Sequence, residues 1–269
     1  MSYDIVFSDI DGTLLNAERE LSNDTKAQIK RIKENIPVIL ISSRMPAAMV
    51  HLQKELDIEN TPLICYNGGL ILVENKTVHS TFISIEILEN IINFNKQLSV
   101  HLSLYYNDEW YAPQDDFWAN RERQNTKVNP VIRTNEQVIQ KWKIEGKGAH
   151  KIMCMGDEEK VDKIYNFLDE NYGQSLHLYR SKPTYIEIAE KSISKMTAIQ
   201  YLLNNHYKID IKNAVAFGDN YNDIEMIKGV GTGVAVGNAK PETLKVADYI
   251  TLPGKEDGVA EFIKKHIIF

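Results

Sequence analysis

The chain predicts an α/β fold: a Rossmann-like parallel sheet wrapped by helices and interrupted by an inserted α+β domain. Three observations lead there. Over the first third, short apolar β-type runs alternate with helical periodicity; near the other end the same alternation returns; between them the pattern changes to alternating strands and longer connections.

Taken in order, Ile5–Ser8 (IVFS) reads as a buried strand and residues 24–35 as a helix. PVILIS (37–42) is the next strand, 46–56 a helix, and PLICY (62–66) a third strand. This βαβαβ order is that of parallel strands joined by crossover helices. Late in the chain, a helix over 194–205, the strand AVAFGD (214–219), a helix from about Asn222, the strand TGVAVG (232–237) and a helix after Pro241 extend the same sheet. Between them, from about Thr81 to Pro183, lie a helix over 85–97, strands HLSLYY (101–106) and HKIMCM (150–155) and a helix over 158–170. The aromatic and charged stretch NDEWYAPQDDFWANRERQN reads as loops. The expected division is a core of 1–81 and 185–269 carrying an inserted domain of 82–184. There are no internal repeats and no Gly/Ser-rich linker.

Composition narrows the function. The chain has 269 residues, 43% hydrophobic and 25% charged, with a formal net charge of -6. That leaves no basic surface for nucleic acid or anionic membrane, so a small molecule is the expected partner, and a monomer or weak homo-oligomer the expected state. No apolar stretch approaches the length of a membrane span and no leader-like segment opens the chain, so the cytoplasm is the expected location. Cys65 and Cys154 sit in apolar strand runs and read as buried, inert thiols. The seven histidines show no ligand-like spacing.

In an open parallel sheet, ligands bind outside the carboxyl ends of the strands, so residues just after each β run share one crevice. Here these are Asp9 and Asp11 after the first strand, Ser42, Ser43 and Arg44 after the second, Asn67 after the third, and Asp219, Asn222 and Asp223 after the late strand. Four acids on one rim repel unless a cation lies among them. An all-oxygen donor set makes Mg2+ the natural cation, and phosphate is its commonest partner. Lys195 stands in the first turn of the helix SKMTAIQYLL, where the macrodipole disfavours a positive charge. Arg44, just ahead of the helix that Pro46 opens, is placed as awkwardly. Both positions make sense if the side chains face carboxylates and a bound phosphoryl group; solvated surface charge is the simpler alternative.

With these residues in hand, the chain resembles the haloacid dehalogenase (HAD) superfamily, and within it the Cof-type phosphatases with a large C2-type (C2B) cap inserted after the third core strand. DIDGTLL (9–15) is similar to the first motif of that superfamily, Ser42 to the second, Lys195 to the third and GDNYNDIEMI (218–227) to the fourth. The tail GVGTGVAVGNAKPETLKVADYIT, followed by EDGVAEFI, is similar to the end of a Cof-type core, so the resemblance spans nearly the whole chain.

The resemblance implies a Mg2+-dependent phosphatase of small phosphorylated metabolites, sugar phosphates foremost, acting through an aspartyl-phosphate. Asp9 would be the nucleophile and Asp11 the general acid and base. Gly12 would let the chain turn away, and Thr13 would offer a hydroxyl or amide to the phosphate; a turn glycine and a local cap is the alternative. The metal would be held by the Asp9 side chain, the Asp11 carbonyl and Asp219, with Asp223 as a ligand or an acid just behind it and Asn222 orienting. Lys195 and Ser42 would meet the non-bridging oxygens. Asp219 and Asp223 also fit an N-cap pair. Asn67, in YNGG, matches an Asn-Gly at the base of the cap connection and would contact substrate, or only shape a turn. The subgroup usually reads Thr-Gly-Arg where this chain reads Ser42, Ser43, Arg44, so Ser43 stands where a glycine is usual. Substrate choice would lie in the cap, in a region that includes Trp110, Tyr111, Trp118, Arg121, Arg123, Arg180 and Lys182. A phosphomutase or phosphotransferase sharing the phospho-aspartate, and a non-catalytic ligand sensor, are the competing readings; Asp9 and Asp11 are both present, which a degenerate sensor would lack.

Overall fold

The computed structural model describes residues 3–268. Along the chain, β1 (Ile5–Ser8), α1 (Asn23–Ile32), β2 (Val38–Ile41), α2 (Ala47–Leu56) and β3 (Leu63–Cys65) are followed by a hairpin of β4 (Leu70–Val73) and β5 (Lys76–Ser80). Next come α3 (Ile85–Asn95), β6 (His101–Tyr106), β7 (Glu109–Ala112), α4 (Phe117–Thr126), β8 (Val131–Ile132), α5 (Asn135–Glu145), β9 (Lys151–Met155), α6 (Glu158–Tyr172), β10 (Leu176–Lys182) and β11 (Tyr185–Glu190). The chain then runs through α7 (Lys195–Leu202), β12 (Ala214–Gly218), α8 (Ile224–Gly229), β13 (Thr232–Ala235), α9 (Pro241–Leu244), β14 (Tyr249–Ile250) and α10 (Gly258–His266).

Two compact units result. One holds the residues up to Ser43, Met49–His79 and those from Ser194 on. Its sheet has eight strands in the order β14-β13-β12-β1-β2-β3-β4-β5. The strands from β14 to β3 are parallel, and β4 turns back antiparallel on β3. Val6 of β1 pairs with Val215 on one side and Val38 on the other. β1, β2 and β12 are buried at every position, which is why each reads as an unbroken apolar run. Ile5, Phe7, Ile39 and Ile41 pack with Ile199 and Leu202 of α7 and Met226 and Ile227 of α8. α1 and α7 start on side-chain caps: the Ser22 hydroxyl accepts from Thr25 N, and Ser194 and Thr197 form a capping box.

The second unit comprises Ser80–Ile193 with Arg44–Ala48. Its six-stranded sheet runs β10-β11-β9-β6-β7-β8 and is antiparallel except for β7 with β8. Leu102, Leu104, Ile152, Ile186 and Ile188 on one face meet Leu88 and Ile91 of α3, Val138 and Trp142 of α5, and Ile164 and Leu168 of α6.

The structure departs from the sequence expectation in several places. The stretch read as loops after Tyr106 contains β7 and α4; α4 is polar nearly all round and is started by Asp116, whose carboxylate accepts from Trp118 N and Ala119 N, so no apolar stripe marks it. The inserted unit does not end at 184: β11 pairs with β9 (Ile188 with Ile152) and with β10, and carries the second sheet onward to Glu190. The helix expected over 194–205 is α-helical only to Leu202 and widens into a π turn over Leu203–Tyr207. Cys65 and Cys154 are both buried and unbridged, and burial pushes the Cys154 thiol up to about 12.

Candidate active site

Strand order places the tips of β12, β1, β2 and β3 side by side. Asp9 leaves β1 tied to its neighbour, its amide donating to Phe217 O at 3.0 Å. The chain then turns sharply, with the amides of Leu14 and Leu15 both on Ile10 O at 3.0 and 3.2 Å. Gly12 makes the turn at φ +89°, and a Cβ there would lie 2.4 Å from Asp219 Oδ2, so conformation and space both require glycine. The turn is propped from behind by a pair that sequence reasoning missed. Asn238 Nδ2 donates to Gly12 O at 2.9 Å while Asn238 Oδ1 accepts from Gly254 N at 2.7 Å. Asn238 lies in the stretch GNAKPE, just after the run read as the strand TGVAVG.

At the tip, charge is concentrated out of water. Asp9, Lys195 and Asp223 are 5%, 0% and 0% exposed, and Lys195 Nζ donates to Asp9 Oδ1 and to Asp223 Oδ1, both at 2.5 Å. The other Asp223 oxygen, Oδ2, accepts from the amides of Asp219 and Asn220, each at 2.9 Å, which fastens the loop after β12. Asp9, Asp219 and Asp223 each bring a carboxylate oxygen within 4.8 Å of the others. Burial raises the Asp9 carboxyl well above its ordinary range, against Lys195 and with help from Asp223 and Asp219. Burial and the Asp223 charge push Asp219 up to about 6. For Lys195 burial acts downward, but Asp223 and Asp9 outweigh it and hold the ammonium above its ordinary value. Three carboxylates against one lysine, all oxygen donors, make a set that fits a hard divalent cation.

The remaining sequence-predicted residues divide. Thr13 is buried and spends its hydroxyl on Asp219 Oδ1 at 3.1 Å, orienting that acid. Ser42 is buried at the tip of β2, where its amide donates to Ile64 O and its carbonyl accepts from Asn67 N, linking β2 to β3. Ser43 does not adopt a positive φ, so serine meets no strain where glycine is usual. Asn67 does, at φ 56°, and its Oδ1 accepts from Asn222 Nδ2 at 2.9 Å, so two residues predicted separately form one bridge across the rim. Asp11 is half-exposed and its Oδ1 accepts from Arg19 Nη2 at 2.5 Å. Arg44 is buried and donates to Ala48 O at 3.1 Å. In the inserted unit, Trp110 is buried with its Nε1 on Ser103 Oγ, Arg180 pairs with Asp162, and Arg121 lies over the rings of Trp118 and Tyr185. His101 and His150 are buried in hydrogen-bonded positions, His101 between Asp116 and Ser103 and His150 between Ser80 and Asn107.

The model of the haloacid dehalogenase-like hydrolase family matches residues 6–263. A provisionally named phosphatase of Haemophilus influenzae is 32% identical over 98% of each chain. The 5-amino-6-(5-phospho-D-ribitylamino)uracil phosphatase YitU of Bacillus subtilis is 26% identical over 97% of each. Among solved structures, a haloacid dehalogenase-like hydrolase from Bacteroides thetaiotaomicron superposes with a TM-score of 0.90 at 28% identity, covering 98% of this chain and 99% of that one.

Proposed function

Because the chain belongs to the haloacid dehalogenase-like hydrolase family and is a phosphatase, we propose that it is Mg2+-dependent and hydrolyses small phosphorylated metabolites through a phospho-aspartate on Asp9. One observation carries this reading: Asp9 is buried at a strand tip, held by Lys195, inside a cluster with more carboxylates than cations.

In the first step an Asp9 carboxylate oxygen bonds to phosphorus while the bond to the ester oxygen breaks, and Asp11 gives that oxygen its proton. In the second, Asp11 takes a proton from the water that attacks phosphorus, which frees Asp9 and releases phosphate. Lys195 orients Asp9 and meets a non-bridging oxygen, and Ser42 offers its hydroxyl to another. Asp9, Asp219 and the Asp11 carbonyl would hold Mg2+, with Asp223, whose two oxygens are already engaged by Lys195 and two amides, behind them. Bound there, the ion would offset the charge on the transferring phosphoryl group. Thr13 fixes the Asp219 carboxylate for that role. The substrate class is a phosphate ester of a small polyhydroxylated metabolite, sugar phosphates foremost; the Bacillus subtilis relative is named for a phosphorylated ribityl compound.

Phosphate release from sugar, nucleotide and cofactor phosphates, with and without Mg2+, tests the reading. Wild type should turn over only with Mg2+, and Asp9→Asn should lose at least about a thousandfold in rate. An Asp9→Asn variant that matches wild type overturns the mechanism.

A further inference from the structure

We infer that Arg19 is a positioning residue for Asp11: a latch that holds the acid–base carboxylate apart from the nucleophile until substrate arrives. This rests on the phosphatase reading of Asp9 and Asp11. The two carboxylates of DIDGTLL are held in different ways. Asp9 is buried against Lys195 in the cluster with Asp219 and Asp223, whereas the side chain of Asp11 is 37% exposed and its Oδ1 is taken by Arg19 Nη2 at 2.5 Å.

Arg19 is built into that place. Residues 16–20 close on themselves: Asn16 N donates to Glu20 O at 3.0 Å, Glu20 N to Asn16 Oδ1 at 2.8 Å, and Arg19 N to Asn16 O at 3.1 Å. Arg19 itself adopts φ 62°, a left-handed conformation that a non-glycine residue keeps only where its surroundings impose it. Across from it, the turn on Ile10 O fixes the stem of Asp11. The guanidinium and the carboxylate therefore face each other from two constrained turns.

For Oδ1 to deliver the proton, the pair must open. When the Asp9–phosphorus bond forms and the bond from phosphorus to the ester oxygen breaks, the proton on Asp11 must pass to that oxygen, and an Asp11 oxygen engaged by a guanidinium is not turned toward it. The pair is suited to repeated opening because it is weak: side chains 46% and 37% exposed are well solvated, and ion pairs in such positions add little stability. Asp11 itself is not among the three carboxylates whose oxygens lie within 4.8 Å of one another.

The test compares an alkyl phosphate, whose leaving oxygen needs a proton, with p-nitrophenyl phosphate, whose leaving oxygen does not. The readout is the ratio of the two kcat/KM values for wild type, Arg19→Ala and Arg19→Lys, each also with Asp11→Asn. The latch predicts that Arg19→Ala raises the alkyl-to-aryl ratio about two- to fivefold, the rate equivalent of one weak exposed ion pair. Arg19→Lys should restore the wild-type ratio, and with Asp11→Asn the residue at position 19 should no longer matter. A ratio that stays level or falls in Arg19→Ala overturns the latch, as does a rise that persists with Asp11→Asn. If Arg19→Ala does not fold, Arg19→Gln keeps the stem without the charge and gives the same readout. Failure of the phosphatase reading is separate and shows as an Asp9→Asn variant that retains full activity.

Discussion

Each unit of the molecule gathers acids around lysines, but the two clusters differ in balance. In the inserted unit two acids meet two lysines. Lys141 Nζ bonds Glu109 at 2.8 Å and Glu145 at 2.9 Å, and Lys147 bonds the same pair. Burial acts to raise Glu109, yet the hydrogen bonds from Lys141, Lys147, Tyr111 and Trp142 outweigh it and hold the group at about 2. In the other unit three carboxylates cluster with one lysine, which bonds only Asp9 and Asp223, and Asp9 and Asp219 are raised instead. The lysines of both clusters are raised, but the acids are shifted in opposite directions. A balanced cluster is already satisfied and holds structure together; one left short of positive charge is poised to take a cation and to do chemistry.

The sharpest way to break this contrast is Lys195→Met. It leaves Asp9 and Asp223 buried without their shared partner, at an expected cost of about 3–5 kcal/mol by chemical denaturation. Adding Asp223→Asn should recover part of it, and a Lys195→Met protein as stable as wild type would refute the charge imbalance. A cation should act the other way. Mg2+ at one hundred times its Kd should stabilise wild type by about 2.7 kcal/mol, read as a rise in Tm, and Asp219→Asn should lose most of that rise. A wild-type Tm indifferent to Mg2+ would count against a site there.

The smallest effect belongs to the balanced cluster. Glu109 is partly exposed, so Glu109→Gln should cost only about 1 kcal/mol at neutral pH. Its folded pKa of about 2 lies below the ordinary 4.5, so its contribution is present above 4.5 and lost as pH falls through about 2. Asp219 has the opposite sign: its folded value of about 6 lies above 3.8, so without Mg2+ its contribution is present below 3.8 and lost as pH rises through about 6. Stability measured against pH should show Glu109→Gln meeting wild type at the acid end and parting from it as pH rises from about 2 to 4.5, and metal-free Asp219→Asn parting from it as pH rises from 3.8 to about 6. Curves that part in the same window would contradict the comparison.

Legibility followed locality. β1, β2 and β12 could be read from sequence because strands buried on both faces are continuous apolar runs. α4 and α5 could not. α4 has little apolar face, and both depend on their starts, Asp116 in one and the Thr134–Gln137 capping box in the other. At the rim, Asp9, Asp219 and Asp223 were found together because the strand-tip rule needs only strand order. Arg19 was missed because it stands at no strand tip and in no motif, and Asn238, which follows the run TGVAVG, because a neutral amide there carries no charge to mark it; each bonds to the turn after β1.

By itself the sequence determined which residue types stand after each strand and that acids outnumber cations among them, since both follow from chain order and local pattern. Tertiary structure alone decided where each polar atom is spent: Lys195 on Asp9, 186 residues away, Thr13 on Asp219, 206 away, and Asn222 on Asn67, 155 away. A hydrogen bond tolerates only a few tenths of an ångström and a narrow range of angles. Sheet register, turn conformation and burial set those quantities, and no spacing along the chain encodes them.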